Sequence, residues 1–395
     1  IMNLYGGKML NNTDFLKACN LKEMPFKANP IQADDPAASI WVGYPKIKQL
    51  IENALLDTKK DELGLNNLLI INGDFGTGKS HALMWARYQL LFGQQNEDFN
   101  ATCYYMRTIR EGMKYNLFKH FKTDVWTAGL KDETLQYKQW LGNQVIKHRE
   151  ENDTPNSVSN RDVINELIKD PNLFDAALRI HEADSITQIE KSFSVSASNL
   201  KDNEVINIIS SLFNLFLLET GSKKESFRNG AYFFMDEMDL LKEVNISDNV
   251  AINSIIRSLY DLLPSSFCLI LGMTAANAEL PGLIQDYVEA RITKIIPMDH
   301  MDPKDTLNFA KDLMNLFREN PNNKKEVDFF PFEKNAMGAI LDQTEMTPRK
   351  IAQRMLKAIN LVRRTGYDPS KNGAIKLSYL DKHDVLSQLG TEVDL

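Results

Sequence analysis

Eight consecutive residues have types and spacing suited to phosphate chemistry: Gly73, Asp74, Phe75, Gly76, Thr77, Gly78, Lys79 and Ser80. They read G-x-x-x-x-G-K-S. An apolar run at 68–71 precedes them, and a helical pattern (Ala82, Leu83, Trp85, Ala86) follows. That strand–turn–helix setting is the context the pattern requires. Glycines let the backbone curl until successive N–H groups point inward at phosphate oxygens. The helix opening near Lys79 adds the positive end of its dipole. Lys79 is then expected to reach β- and γ-phosphates, and the Ser80 hydroxyl to ligate Mg²⁺. Gly73 through Ser80, with His81 where the loop enters the helix, form the candidate nucleotide-binding set.

A second group lies about 160 residues downstream. The apolar run 231–235 ends in Asp236-Glu237. Asp236, at the carboxyl end of a buried strand, is expected to hold Mg²⁺ through water. Glu237 is expected to polarise an attacking water as general base. Thr274 ends the next strand pattern (267–273), where open parallel sheets place ligand groups. Its hydroxyl could orient the water or touch the γ-phosphate, with Asn277 as the competing candidate. Arg291 immediately precedes the last strand pattern (292–296) and could stabilise charge on a neighbouring subunit's γ-phosphate; Arg257 is the alternative. In Glu345-Met346-Thr347-Pro348-Arg349-Lys350, Thr347 suits a helix N-cap and Pro348 the first turn. Arg349 then lies in that first turn, able to face a bound nucleotide.

Elements that position these groups follow from periodicity. Apolar strand patterns at 68–71, 101–106, 231–235, 267–273 and 292–296 alternate with helices, which predicts a parallel sheet with helices on both faces. Between about 123 and 224 only helical patterns and polar breaks occur (137–148, 161–169, 173–180, 205–218), so this stretch reads as a helical insertion. Residues 10–50 read as an extended or turn-rich lead-in up to an amphipathic helix carrying Ile47, Leu50, Ile51, Ala54 and Leu55. From Asp302 onward the chain reads as helical, with Pro303, Pro331 and Pro348 at helix starts. The domain expectation is an N-terminal extension (1–34), an α/β nucleotide-binding domain (35–300) and a helical lid (301–395).

Composition limits the partners. The 395 residues carry a net charge of −7, so bulk electrostatics do not draw the chain onto nucleic acid. DNA contact is expected only through a local basic face or through several subunits acting together. One is Lys350, Arg354, Lys357 and Arg364, opposite Ile351, Met355, Ala358 and Val362. The other is 107–122, where basic residues alternate with Tyr115, Phe118 and Phe121. No apolar run reaches membrane-spanning length, and the N-terminus has no apolar signal core. Ile1 ahead of Met2 reads as a cloning remnant. Cys19, Cys103 and Cys268 are scattered, which argues for reduced thiols and a cytoplasmic setting. The six scattered histidines show no metal-ligand spacing.

In their order these motifs resemble those of the AAA+ ATPases, especially the Orc/Cdc6-like and STAND-related branch. Gly73–Ser80 looks like a Walker A, Tyr232–Glu237 like a Walker B, and Thr274 like sensor 1. Arg291 looks like an arginine finger, and Thr347-Pro348-Arg349 like sensor 2. Ile40-Trp41-Val42-Gly43-Tyr44 looks like the segment that borders adenine in that branch, with Val42 as the base contact and Tyr44 where arginine is common. The loop also looks like that of ATPases from bacterial defence and DNA-modification systems, and the lead-in Met24-Pro25-Phe26 resembles transposition and secretion regulators of the same superfamily. The resemblance implies a P-loop three-layer sandwich with a central parallel sheet and an all-α lid. It further implies ATP and Mg²⁺ as ligands, a homo-oligomer, and partner proteins of a multi-subunit system. A winged helix, usual in Orc/Cdc6 proteins, is not expected here. The alternative is a nucleotide-gated scaffold or STAND-like switch with negligible turnover.

Overall fold

A computed structural model describes residues 10–27, 36–93, 99–107, 116–155, 157–238, 245–263, 265–274, 280–323, 325–342 and 346–390. The chain divides into two compact units: Ile47–Gly73 with Ala82–Pro297, and Ile1–Lys46 with Asp74–His81 and Met298–Leu395.

The first unit is built on a five-stranded sheet. Its strands are β1 (Asn67–Asn72), β2 (Ala101–Arg107), β3 (Gly230–Asp236), β4 (Phe267–Met273) and β5 (Lys294–Pro297), in spatial order β2-β3-β4-β1-β5. Every pairing is parallel. Every residue of β1, β3 and β4 is buried, which explains their continuous apolar runs: both faces of a parallel sheet are covered, so alternation is lost. The exposed edge strand β5 is only four residues long.

Residues 131–217 supply the helices Lys131–Glu151, Asn160–Leu167, Pro171–Glu182, Ile186–Ser192 and Asp202–Leu217. Their apolar faces join the core of the sheet. Tyr137, Phe216 and Phe227 pack mutually, with ring centroids 5.3–5.6 Å apart. A buried charge locks this layer to the strands. Glu133 accepts from Thr102, from Tyr104 at 2.5 Å and from Arg228 Nε at 2.5 Å. Such a charge is tolerable only because it is paired and hydrogen-bonded.

The second unit has its own core of Phe15, Leu16, Leu21, Met337, Ile351 and Met355 with their neighbours. Two expectations are corrected here. The lead-in is not wholly extended: Asn12–Ala18 is helical, with Asn11 accepting from the Asp14 amide at 2.8 Å. Buried Arg318 secures it, donating to the carbonyls of Cys19, Asp328 and Phe330 at 3.1, 2.9 and 2.6 Å. Burial lowers the Arg318 pKa to about 10. Pro331 starts no helix. Its carbonyl accepts from the Ile375 amide, Phe332 bridges to Ile375, and the helix begins at Lys334 behind Glu333. Pro303 and Pro348 do occupy first turns, behind the N-caps Asp302 and Thr347.

Candidate functional site

The phosphate loop leaves β1 and enters the helix Lys79–Phe92. Gly76 and Gly78 adopt φ of +85° and +104°, the left-handed region that side chains avoid. One carbonyl organises the turn. Asp74 O accepts from the Thr77 amide at 3.3 Å, the Thr77 hydroxyl at 2.9 Å and the Lys79 ammonium at 2.9 Å. Lys79 is thus held over its own loop, largely buried, while Ser80 is exposed at the surface. The first amides of a helix have no acceptor within the helix, so the turn offers donors as well as a cation. These groups fit a phosphate.

Within the same unit, the start of the helix Pro348–Arg364 closes on this loop. The Arg349 amide donates to the Gly76 carbonyl at 3.3 Å, and the Arg349 guanidinium lies 4.5 Å from the Phe75 ring centroid. A Cβ on Gly76 would stand 3.1 Å from both Arg349 Cβ and Thr347 Oγ1, so glycine is required for space as well as for φ. His300 Nε2 reaches Asp74 Oδ2 at 3.2 Å. His81 Nε2 lies 2.6 Å from the Ile40 carbonyl and so carries the proton there. His81 Nδ1 is buried with no hydrogen-bond partner among the described residues. Burial lowers the His81 pKa, against the Ile40 hydrogen bond that raises it. Trp41 lies 6.4 Å from His81, ring to ring, and Val42 packs half-buried against the core of this unit.

The acid pair belongs to the sheet unit. Asp236 ends β3, 3% exposed. Its Oδ2 accepts from the Tyr105 hydroxyl at 2.6 Å and its Oδ1 from the Glu237 amide at 2.8 Å. Glu237 has φ +62°, a conformation that costs a non-glycine residue roughly 1–2 kcal/mol and tends to persist at functional sites. Gly272 of β4 lies against the same carboxylate: a Cβ there would be 2.6 Å from Oδ1. Thr274 follows Met273, the register partner of Asn72, so it lies at the strand edge from which the phosphate loop departs. Hard carboxylate and hydroxyl oxygens are the donor set for Mg²⁺.

Arg291 is placed differently from the other candidates. Asp261 binds it in a bidentate pair, Nε–Oδ1 2.6 Å and Nη2–Oδ2 2.7 Å, and the Tyr287 carbonyl accepts from Nη1. Arg257 shares the same acid at 3.3 Å. The Asp261 pKa is lowered chiefly by its bond to Arg291. Both candidate finger arginines therefore converge on one carboxylate of their own chain. On the helix Pro348–Arg364, Lys350, Lys357 and Arg364 are exposed, but Arg354 is half-buried and caps the Ile340 carbonyl. Asn277, Arg110, Lys114, Tyr115 and Glu345 lie outside the described residues.

Sequence reasoning passed over Tyr105, Gly272, His300 and Asp261. Gly272, a glycine inside an apolar strand, signals close backbone approach. Asp261 stands four residues after Arg257, a helical pairing distance. Tyr105 and His300 carried no local signal.

Among the described residues no helix is long and apolar enough to cross a membrane. No protein-family model matches the sequence, and no curated protein does. Among solved structures the chain is similar to the Aeropyrum pernix ORC1 protein in complex with DNA. Identity is 9%, over 93% of this chain and 70% of that one, with a TM-score of 0.48. It is similar to the Aeropyrum pernix ORC2 protein in ADPNP and ADP complexes, at 10% identity over 91% and 72%, TM-score 0.46. Domain III of the Thermotoga maritima replication initiation protein DnaA gives 10% identity over 91% and 98%, TM-score 0.41. An all-parallel sheet with the phosphate loop leaving β1 and the acid pair leaving β3 is the α/β P-loop fold that the resemblance to AAA+ ATPases implies.

Proposed function

We propose that the chain binds and hydrolyses ATP with Mg²⁺ as an AAA+ ATPase. The observation that carries this reading is the phosphate loop itself: two left-handed glycines, then Lys79 held by Asp74 at the mouth of a helix. Lys79 and the loop amides bind the phosphates, and Ser80 and Asp236 would hold the cation. Bound Mg²⁺ supplies charge neutralisation on the phosphate oxygens. Glu237 takes the proton from the attacking water, and Thr274 orients that water. Arg349 adds positive charge from the lid helix, and Val42 and His81 border the base. Arg291 completes the site of a neighbouring copy in a homo-oligomer, with Arg257 beside it as the alternative.

Nucleotide state would control assembly or remodelling of a multi-subunit, DNA-associated complex of the defence, DNA-modification or transposition type. This finer reading is supported by the resemblance of the loop sequence and by the exposed Lys350, Lys357 and Arg364.

The test is an ATPase and binding assay on the full chain, with and without duplex DNA. Glu237→Gln should retain ATP binding and lose turnover by at least about 100-fold. Lys79→Ala should bind poorly. Normal hydrolysis by Glu237→Gln would overturn the role of that acid. A second reading, a nucleotide-gated scaffold, has one observation in its favour: Asp261 of the same chain occupies Arg291 on both faces of its fork. ATP binding without turnover under every condition would select it.

A further inference from the structure

Tyr105 stands two residues before the end of β2, paired in register with Phe234 of β3. Side chains two positions apart on a strand share a face, so Tyr105 and Asp236 emerge on the same side of the sheet. The phenol reaches toward the carboxyl end of the strands and donates to Asp236 Oδ2 at 2.6 Å. Oδ1 is fixed independently by the Glu237 amide, and the bare backbone of Gly272 closes the remaining side. The carboxylate is therefore held by three neighbours on three different strands or strand ends. Arg107, the register partner of Asp236, adds positive charge beside Tyr105, Glu237 and Asp236.

A tyrosine that merely needs an acceptor when buried can take any carbonyl. This one takes the acid on which cation binding depends, and takes it with a short charge-assisted bond. We propose that Tyr105 is a positioning residue for the metal-binding carboxylate: its hydroxyl locks Asp236 in the orientation that receives the cation. The inference rests on the magnesium–nucleotide reading of this site. Groups that orient a ligating carboxylate are half of a metal site, and their loss commonly weakens metal binding 10- to 100-fold. The Tyr105 hydroxyl is engaged by Asp236, so its removal should act through the metal requirement and leave metal-free nucleotide binding alone.

The experiment is an Mg²⁺ titration of the binding of a fluorescent adenine nucleotide, on the full chain, for wild type, Asp236→Asn and Tyr105→Phe. The midpoint concentration of Mg²⁺ is the readout, and because it is a midpoint it reports only the folded fraction. Tyr105→Phe should raise it by about tenfold, with affinity in EDTA within twofold of wild type. Asp236→Asn should raise it further. If Tyr105→Phe leaves the midpoint within twofold of wild type while Asp236→Asn shifts it, Tyr105 has only a packing role and the inference falls. If wild type shows no Mg²⁺-dependent binding, the nucleotide reading fails and the inference falls with it.

Discussion

The guanidinium of Arg349 lies over the ring of Phe75, 4.5 Å from its centroid, while the Arg349 amide is bonded to the neighbouring Gly76 carbonyl. Phe75 is 72% exposed, so its ring is held by little else than this cation. A loop aromatic and an arginine of the helix Pro348–Arg364 are thus one contact, made by the residues immediately before the left-handed Gly76 and after Pro348.

From that contact follows a graded pair of effects. A cation–π contact at an exposed site is worth about 0.5–1 kcal/mol. Phe75→Ala should therefore weaken nucleotide binding by no more than about fivefold. Arg349→Ala removes the charge itself and should reduce turnover by at least about tenfold. Parallel binding and ATPase measurements decide this. Equal, small losses for both variants would leave Arg349 as no more than a partner of Phe75.

His81 gives the second unit a pH dependence of known sign. Burial depresses its pKa in the folded chain, so the unfolded chain takes up a proton first as pH falls. Stability is unaffected above the ordinary histidine value of about 6.5 and declines as pH falls below it. Denaturant midpoints for wild type and His81→Gln at pH 7.5, 6.5 and 5.5 test this. The difference between the two should change with pH in that window, wild type losing more. A constant difference would show that His81 takes up its proton at the same pH in the folded and unfolded chain, so that burial does not depress it.

Glu133 is the acceptor for Thr102, Tyr104 and Arg228 together. Replacing it with alanine leaves a largely buried guanidinium and two hydroxyls without their common partner. The expected loss is about 3 kcal/mol in equilibrium denaturation. Because the helical layer and β2 share this residue, the far-UV signal and the fluorescence of Trp126 and Trp140 should shift in the same transition. A loss below about 1 kcal/mol would mean that water replaces the carboxylate.

The phosphate loop, the Asp236-Glu237 strand end and the Thr347-Pro348 helix start were legible because each is written in adjacent residues. Left-handed glycines, a buried strand and a capped helix depend on a few neighbours and on local sterics. The lead-in misled for a related reason. Its prolines and polar residues favour turns locally, yet Phe15 and Leu16 gain more from burial beside Met314 and Met337, and a single cap at Asn11 suffices to start a helix. Pro331 misled in the opposite sense: a good first-turn residue was drawn into an extended pairing with Ile375, 44 residues away.

The local geometry of the glycine-rich loop was therefore determined by the sequence alone, since spacing along the chain fixes which amides, hydroxyls and charges share a turn. The tertiary structure decided the rest. It bound Tyr105 to Asp236 across 131 residues, brought Arg257 and Arg291 to one acid, and turned Arg354 inward to a carbonyl. Hydrogen bonds between distant segments depend on strand register and helix packing, which no local pattern encodes, so what each side chain touches is settled only when the sheet has closed.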